Sequence, residues 1–322
     1  MLKIGVFGAG HLGKIHIKCI LLQPDVYELV GFFDTSEAVR KKVSEDQDIP
    51  AFADATALAQ LVDVVDIVTP TITHFELAKL ALAQGKHVFI EKPVTHTIEE
   101  AEELMAYSRQ KNLKIQVGHV ERFNPAMLSL EGMQLAPKFI EAHRLANFNP
   151  RGTDVSVVLD LMIHDIDIVL NLVQSKVKDV KANGVAILSP TPDIVNARVE
   201  FENGCVANLT ASRMSLKQMR KVRFFQEDAY VSLDFLEKNA QVVRLYDKGA
   251  DNVPNLDNLL ELETHNGTKL LHIDMPPIES VNAIKMELGA FAQSIQNNTR
   301  PTVSIEDGYK ALALAVRISK EI

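Results

Sequence analysis

Along the first 120 residues, short apolar runs alternate with segments whose apolar positions recur at helical spacing. Residues 3–7, 28–33, 62–68, 87–90 and 113–117 read as buried strands, each bounded by turn residues. Between them, the spacing predicts helices from residue 11, over 74–84 with Gly85 as a stop, and over 97–111. Thr97 with Glu100 three positions later forms a capping box for the last of these. Strand and helix in strict alternation predict a parallel sheet with right-handed crossovers. From residue 122 the pattern changes. Residues 138–146, 222–235 and 241–246 read as strands, and Asn203-Gly204 and Asn266-Gly267 as hairpin turns. One long helix is expected over 157–173, and two more at about 281–297 and 307–322. The chain thus divides into residues 1–121, a doubly wound parallel domain, and 122–322, an α+β domain with a large, mostly antiparallel open sheet. If helices cover one face of that sheet, the other calls for a partner, so a subunit interface is expected.

The first strand runs directly into Gly8-Ala9-Gly10-His11-Leu12-Gly13. A strand followed by G-x-G-x-x-G and a helix is the setting of a dinucleotide-binding turn. Gly8 makes the turn, Gly10 admits a pyrophosphate, and Gly13 lets helix and strand approach. Asp34 stands at the end of the second strand, about 20 residues beyond, where an acid accepts the ribose hydroxyls. It would repel a 2′-phosphate, which favours NAD over NADP, although Thr35, Ser36 and Arg40 are close enough in sequence to hold one.

Bulk properties narrow the class further. A length of 322 residues with 47% hydrophobic and 24% charged content suits two globular domains with real cores. The net charge of -8 argues against nucleic-acid or anionic-membrane partners. Cys19 and Cys205 are the only cysteines, each in an apolar segment, so neither a disulfide framework nor a cysteine metal site is indicated. A start inside a core strand and the lack of a membrane-length apolar run lead to a cytoplasmic expectation.

Candidate chemistry lies just after the strands, where open α/β sheets bind ligands. Lys92, after the fourth of these strands and before Pro93, is either a surface lysine with its stem on the sheet edge or a catalytic ammonium. The helix at 157–173 is apolar almost all round, but Asp160, His164, Asp167 and Asn171 interrupt it at spacings of four, three and four. Such a stripe on a buried helix should face a cleft. Asp160 can orient His164 one turn on and raise its basicity, a dyad suited to taking a hydroxyl proton. A satisfied core pair and a solvent-facing stripe are the alternatives; a zinc site with His119 lacks a metal-ligand spacing, and no metal is expected. The basic run Arg213, Lys217, Arg220, Lys221 and Arg223 is either a solvated face or, with Arg144 or Arg151, a grip on a nucleotide diphosphate.

Five motifs in order, Gly8 to Gly13, Thr69-Pro70-Thr71-Ile72-Thr73-His74, Glu91-Lys92-Pro93, the segment from Gly118 to Pro125, and Asp160-Leu161-Met162-Ile163-His164, resemble the Gfo/Idh/MocA oxidoreductases over the whole chain. The resemblance implies a Rossmann domain followed by an open-sheet α/β domain. It assigns Lys92, Asp160 and His164 to catalysis. It assigns Gly8, Gly10, His11, Leu12, Gly13, Asp34, Thr69, Pro70, Thr71, His74, Glu91 and Lys92 to the cofactor. Substrate contacts are expected from His119, Arg122, Asn124, Arg144, Arg151 and Arg213. Further segments, including residues 143–146, 151–155, 203–208 and 211–213, resemble members of the family that oxidise the 3-hydroxyl of a UDP-linked N-acetylglucosamine with NAD. In those systems a PLP aminotransferase converts the ketone to an amine for lipid A. The same architecture serves other sugars and polyols, and supports glycoside cleavage through transient oxidation. From another class, an NAD-dependent sensor would bind cofactor without turnover and would not need Lys92 or the Asp160/His164 dyad.

Overall fold

In a computed structural model, residues 1–148, 155–250, 253, 259–265 and 267–322 are described. They form two compact units, one of Met1–Phe123 with Asn282–Ala313, the other of Asn124–Val281 with Leu314–Ile322.

The first unit opens with β1 (Leu2–Phe7), α1 (His11–Leu21), β2 (Tyr27–Phe33), α2 (Glu37–Gln47), β3 (Ala51–Phe52) and α3 (Ala55–Leu61). It continues with β4 (Val64–Ile67), α4 (His74–Ala83), β5 (His87–Glu91), α5 (Ile98–Lys111) and β6 (Ile115–Gly118). The strands form one parallel sheet in the order β3-β2-β1-β4-β5-β6, the doubly wound Rossmann arrangement. The centre of β1, all of β4 and most of β5 are fully buried, as strands with helices on both faces must be. Both halves of the expected capping box are present, with Thr97 capping the Glu100 N–H and the Glu100 carboxylate accepting from Thr97 N–H.

The second unit begins with the short α6 (Pro125–Leu128) and β7 (Phe139–Leu145). A wide π turn over Val158–Met162 leads into α7 (Ile163–Val173). Eight strands follow: β8 (Val177–Val185), β9 (Ile194–Phe201), β10 (Val206–Ser212), β11 (Met219–Phe225), β12 (Ala229–Asp234), β13 (Asn239–Asp247), β14 (Leu260–Thr264) and β15 (Gly267–Asp274). They pair as β14-β15-β13-β12-β11-β7-β10-β9-β8, antiparallel throughout except between β7 and β10. The predicted turn at Asn203-Gly204 joins β9 to β10, with Gly204 at φ 84°. Asn266 of the other predicted hairpin lies outside the described residues. Alternation divides the sheet: Ile140, Ala142, Val195, Ala197, Val199, Leu209, Val222 and Phe224 point into the core. The opposite face carries Glu141, Asn196, Arg198, Asn208, Thr210 and Arg223, with hydrogen bonds from Asn196 to Thr210 and from Arg223 to Glu141.

Two helices close the chain, α8 (Ala283–Gln296) and α9 (Ile305–Lys320). The sequence division placed both in residues 122–322, whereas α8 and most of α9 belong to the first unit. Leu288, Phe291 and Ala292 of α8 join Ile4, Ile17, Phe32 and Phe89 in one core, and the Tyr27 hydroxyl donates to the Leu288 carbonyl at 2.8 Å.

Candidate functional site

The glycine turn is built as a dinucleotide cradle. Gly8 has φ 93°, which L side chains rarely adopt. A Cβ on Gly13 would lie 2.0 Å from the Gly8 carbonyl oxygen, so only glycine lets α1 start this close to the turn. A Cβ on Gly10 would meet no atom within 4 Å, which leaves the surface of the turn open. Gly10 is also the N-cap of α1 and supplies no side-chain cap, so the first N–H groups of the helix remain available to an anion. His11 and Leu12 are exposed beside them. Asp34 accepts from the N–H of Ala9 at 2.9 Å and from that of Ser36 at 2.9 Å, which places its carboxylate next to the turn. These features fit a dinucleotide: the N–H groups of the turn would hold the diphosphate and Asp34 the ribose.

The strand ends carry the next expected residues. After β4, Thr69, Pro70 and Thr71 lead into α4, and the Thr73 hydroxyl donates to the Pro70 carbonyl at 2.8 Å. His74 is buried, with Nδ1 2.9 Å from the Pro93 carbonyl and Nε2 2.9 Å from the Thr69 carbonyl. It therefore ties the loop after β4 to the loop after β5. Burial pushes its pKa down, against the pull of the two carbonyls. Glu91, at the end of β5, accepts from the N–H of Lys92 at 3.2 Å, and Lys92 is half-buried. His119 is buried just beyond β6, and Arg122 is half-buried. Burial would raise the carboxyl of Asp307, but the charge of Arg122, with Ser304 and Arg300, holds it below its ordinary value.

In the second unit the helix expected over 157–173 is largely buried, as its composition requires, but it is not one regular α-helix. Asp160 lies inside the π turn and His164 is the second residue of α7, both half-buried. Such wide turns recur at functional sites. Asp167 is fully buried, so the polar stripe is not uniformly solvated. Arg144, expected at a diphosphate, is 3% exposed and its guanidinium forks onto the buried Asp165, with Nε 3.1 Å from both carboxylate oxygens and Nη2 2.8 Å from Oδ1. That pair fastens α7 to β7. Arg213 is also buried and donates to the Val155 carbonyl at 2.6 Å. Asn124 caps α6 and donates to the Phe235 carbonyl at 3.0 Å. Arg151 lies outside the described residues. The basic run is not gathered into a patch. Arg213 faces inward, whereas Lys221 and Arg223 are exposed on β11 and paired with Asp234 and Glu141.

Sequence reasoning missed a group of buried ionisable residues in the first unit: His16, Asp66 and Glu287, close to Glu91. Asp66 was visible as a charge in the middle of an apolar strand, and His16 as a polar residue among the apolar positions of α1. Glu287 gave no such signal, because its helix is more than 160 residues away along the chain from the others.

Fold and cradle define a dinucleotide-binding protein, and comparison with known proteins narrows the class. Residues 2–119 match the oxidoreductase family, NAD-binding Rossmann fold, and residues 137–231 match the GFO/IDH/MocA C-terminal domain. UDP-N-acetylglucosamine 3-dehydrogenase of Acidithiobacillus ferrooxidans is 39% identical over 256 residues, 79% of this chain and 80% of that protein. A solved structure of that dehydrogenase superposes with a TM-score of 0.88 at 33% identity, covering 100% of this chain and 97% of the other. The NAD(+)-dependent scyllo-inositol 2-dehydrogenase of Bacillus subtilis is 26% identical over 231 residues, 66% of this chain and 68% of that protein. The chain belongs to the Gfo/Idh/MocA family and is an NAD(P)-binding oxidoreductase of the CH–OH dehydrogenase type. Among the described residues no helix is long and apolar enough to cross a membrane.

Proposed function

We propose that the protein oxidises the 3-hydroxyl of UDP-N-acetylglucosamine with NAD as the preferred cofactor. The observation that carries this reading is the 39% identity to a UDP-N-acetylglucosamine 3-dehydrogenase over four-fifths of both chains, supported by end-to-end structural similarity. NAD, when bound, supplies the hydride acceptor. The N–H groups from Gly10 onward would orient the diphosphate, and Asp34 would hold the ribose and disfavour a 2′-phosphate. Lys92 and His164 are the two candidate bases for the hydroxyl proton, taken up at Nζ of Lys92 or at a ring nitrogen of His164. Asp160 would keep His164 in the accepting tautomer. If His164 takes the proton, the ammonium of Lys92 would stabilise the developing alkoxide.

The product of this reaction is a ketone on a nucleotide sugar. A PLP aminotransferase is the class of enzyme suited to consume it, giving a 3-amino sugar of the kind used in lipid A. The polar open face of the nine-stranded sheet is the surface on which a homo-dimer or homo-tetramer would form.

A substrate panel tests the reading. UDP-N-acetylglucosamine, free N-acetylglucosamine, UDP-glucose and inositols are offered with NAD and a carbonyl trap, and reduced nicotinamide is followed by absorbance. NADH formation at least tenfold faster with UDP-N-acetylglucosamine than with any other compound is the expected result. Equal or greater rates with an inositol would move the protein to the polyol branch of the family.

A further inference from the structure

Beneath the end of β5 the first unit buries an unusual group of ionisable side chains. His16 of α1 places Nδ1 3.0 Å from Oδ2 of Asp66 on β4 and Nε2 3.2 Å from Oε1 of Glu91. Glu287 of α8 is fully buried; one of its carboxylate oxygens, one of Glu91 and a ring nitrogen of His16 lie within 4.8 Å of one another, and both Glu287 oxygens lack a hydrogen-bond partner among the described residues. Three carboxyl groups and one imidazole thus share a largely buried space, in which only the Glu91 side chain keeps some exposure, 12%. Such a group is stable only if protons or a cation offset the negative charge. Glu91 is held from the other side as well. A Cβ on Gly118 would lie 2.7 Å from Oε1 of Glu91, so the carboxylate rests directly against the backbone of β6, while Oε2 accepts from the N–H of Lys92.

We propose that His16 and Glu287 are positioning residues for Lys92: a protonated imidazole and a protonated carboxyl group, brought by two helices to the buried Glu91, fix the Glu91–Lys92 peptide at the strand end. The inference rests on the assignment of Lys92 to the chemistry. Both charge states have a physical cause. Burial works against a charged His16, but Asp66 and Glu91 on its two nitrogens raise its pKa well above the ordinary value. Burial raises the Glu287 carboxyl far above its ordinary value, Glu91 and Asp66 raise it further, and only His16 opposes them. Glu91 stays ionised, because His16 and Lys92 outweigh its burial, whereas burial and the charge of Glu91 raise the Asp66 carboxyl against the pull of His16. The other titratable groups facing the cluster are Cys19, Tyr27 and His74. Burial raises the first two and lowers the third, so all three are favoured as neutral groups near neutral pH.

The sign of the pH effect follows. His16 and Glu287 bind protons more tightly in the folded chain than in the unfolded one. Their contribution is complete below their unfolded values and is lost as pH rises through their folded values. Glu287→Gln reproduces the neutral carboxyl group, whereas Glu287→Leu removes its polar atoms.

The experiment compares wild type, Glu287→Gln, Glu287→Leu and His16→Gln. Glu287→Gln is expected to stay within twofold of wild type in kcat and in KM for NAD at pH 7, and to lose less activity and melting temperature than wild type up to pH 9.5. Glu287→Leu and His16→Gln are expected to lower kcat at least tenfold with a smaller change in KM for NAD. Difference infrared spectroscopy of wild type against Glu287→Gln is expected to show the carbonyl stretch of a buried protonated carboxyl group, and this readout needs no turnover. The proposal is overturned if that band is absent, if Glu287→Gln is as impaired as Glu287→Leu at pH 7, or if one zinc ion per chain co-purifies with wild type and not with Glu287→Gln. Full activity in Lys92→Met with the infrared band present would instead overturn the assignment of Lys92 and leave the protonated network standing.

Discussion

The backbone N–H of Ala9 donates to Oδ2 of Asp34 at 2.9 Å, joining the glycine turn after β1 to the acid at the end of β2. Asp34 therefore braces the turn, and in the proposed function its remaining lone pairs would accept from the ribose hydroxyls. Asp34→Ala is expected to raise KM for NAD at least tenfold and to reduce the preference for NAD over NADP. Steady-state kinetics with both cofactors checks this; unchanged selectivity would remove Asp34 from cofactor choice.

The three glycines of the turn are expected to fail in different ways. Gly13→Ala drives a methyl group against the Gly8 carbonyl, with an unrelaxed separation of 2.0 Å, and is expected to cost folding stability outright. Gly10→Ala adds its methyl group where no protein atom lies within 4 Å, so its melting temperature is expected to stay near that of wild type. Its NAD affinity is expected to fall at least tenfold, because the methyl group occupies the approach of the diphosphate. Calorimetric titration with NAD beside thermal melts separates the two, and a Gly10→Ala protein with intact affinity would place the diphosphate elsewhere.

Arg144 and Asp165 form a buried, forked ion pair between β7 and α7. Removing one partner strands the other charge in the core and costs about 3–5 kcal/mol. Arg144→Met and Asp165→Leu are each expected to lower the melting temperature sharply, and the double variant is expected to be more stable than either. If Arg144→Met melts like wild type but loses substrate affinity, the arginine belongs to the substrate and not to the fold.

What the sequence showed and what it hid separate along physical lines. Gly8, Gly10, Gly13, Asp34 and the Thr97/Glu100 box were legible because each acts through neighbours within a turn or at a strand end, where residue type dictates conformation. The π turn over Val158–Met162 was hidden, since one extra residue in a helical turn leaves an apolar pattern almost unchanged over so short a stretch. Nothing in the amphipathic pattern of α8 says which core its apolar face enters, so its return to the first unit, through Leu288 and Phe291, was not visible. Asp165 was hidden because it lies off the Asp160/His164 stripe of its helix, and the partner that explains its burial, Arg144, is on β7. Arg144 was singled out for its charge, which a sequence cannot distinguish as free or paired.

Lys92 and His164 carry the proposed chemistry, and their separate replacement assigns the proton. Lys92→Met and His164→Asn are each expected to lower kcat at least a hundredfold while NAD affinity changes less than threefold, since general-base catalysis contributes roughly 10²–10⁴-fold. The pH profile of whichever variant retains measurable turnover identifies the remaining base.

The most direct measurement is NADH formation from NAD and UDP-N-acetylglucosamine, with a carbonyl trap present, by wild type and by His164→Asn in parallel. Steady, substrate-dependent NADH formation by wild type and its loss in His164→Asn is the result expected of a nucleotide-sugar dehydrogenase whose chemistry depends on His164. NAD binding without any NADH formation by wild type, or full turnover by His164→Asn, would contradict it.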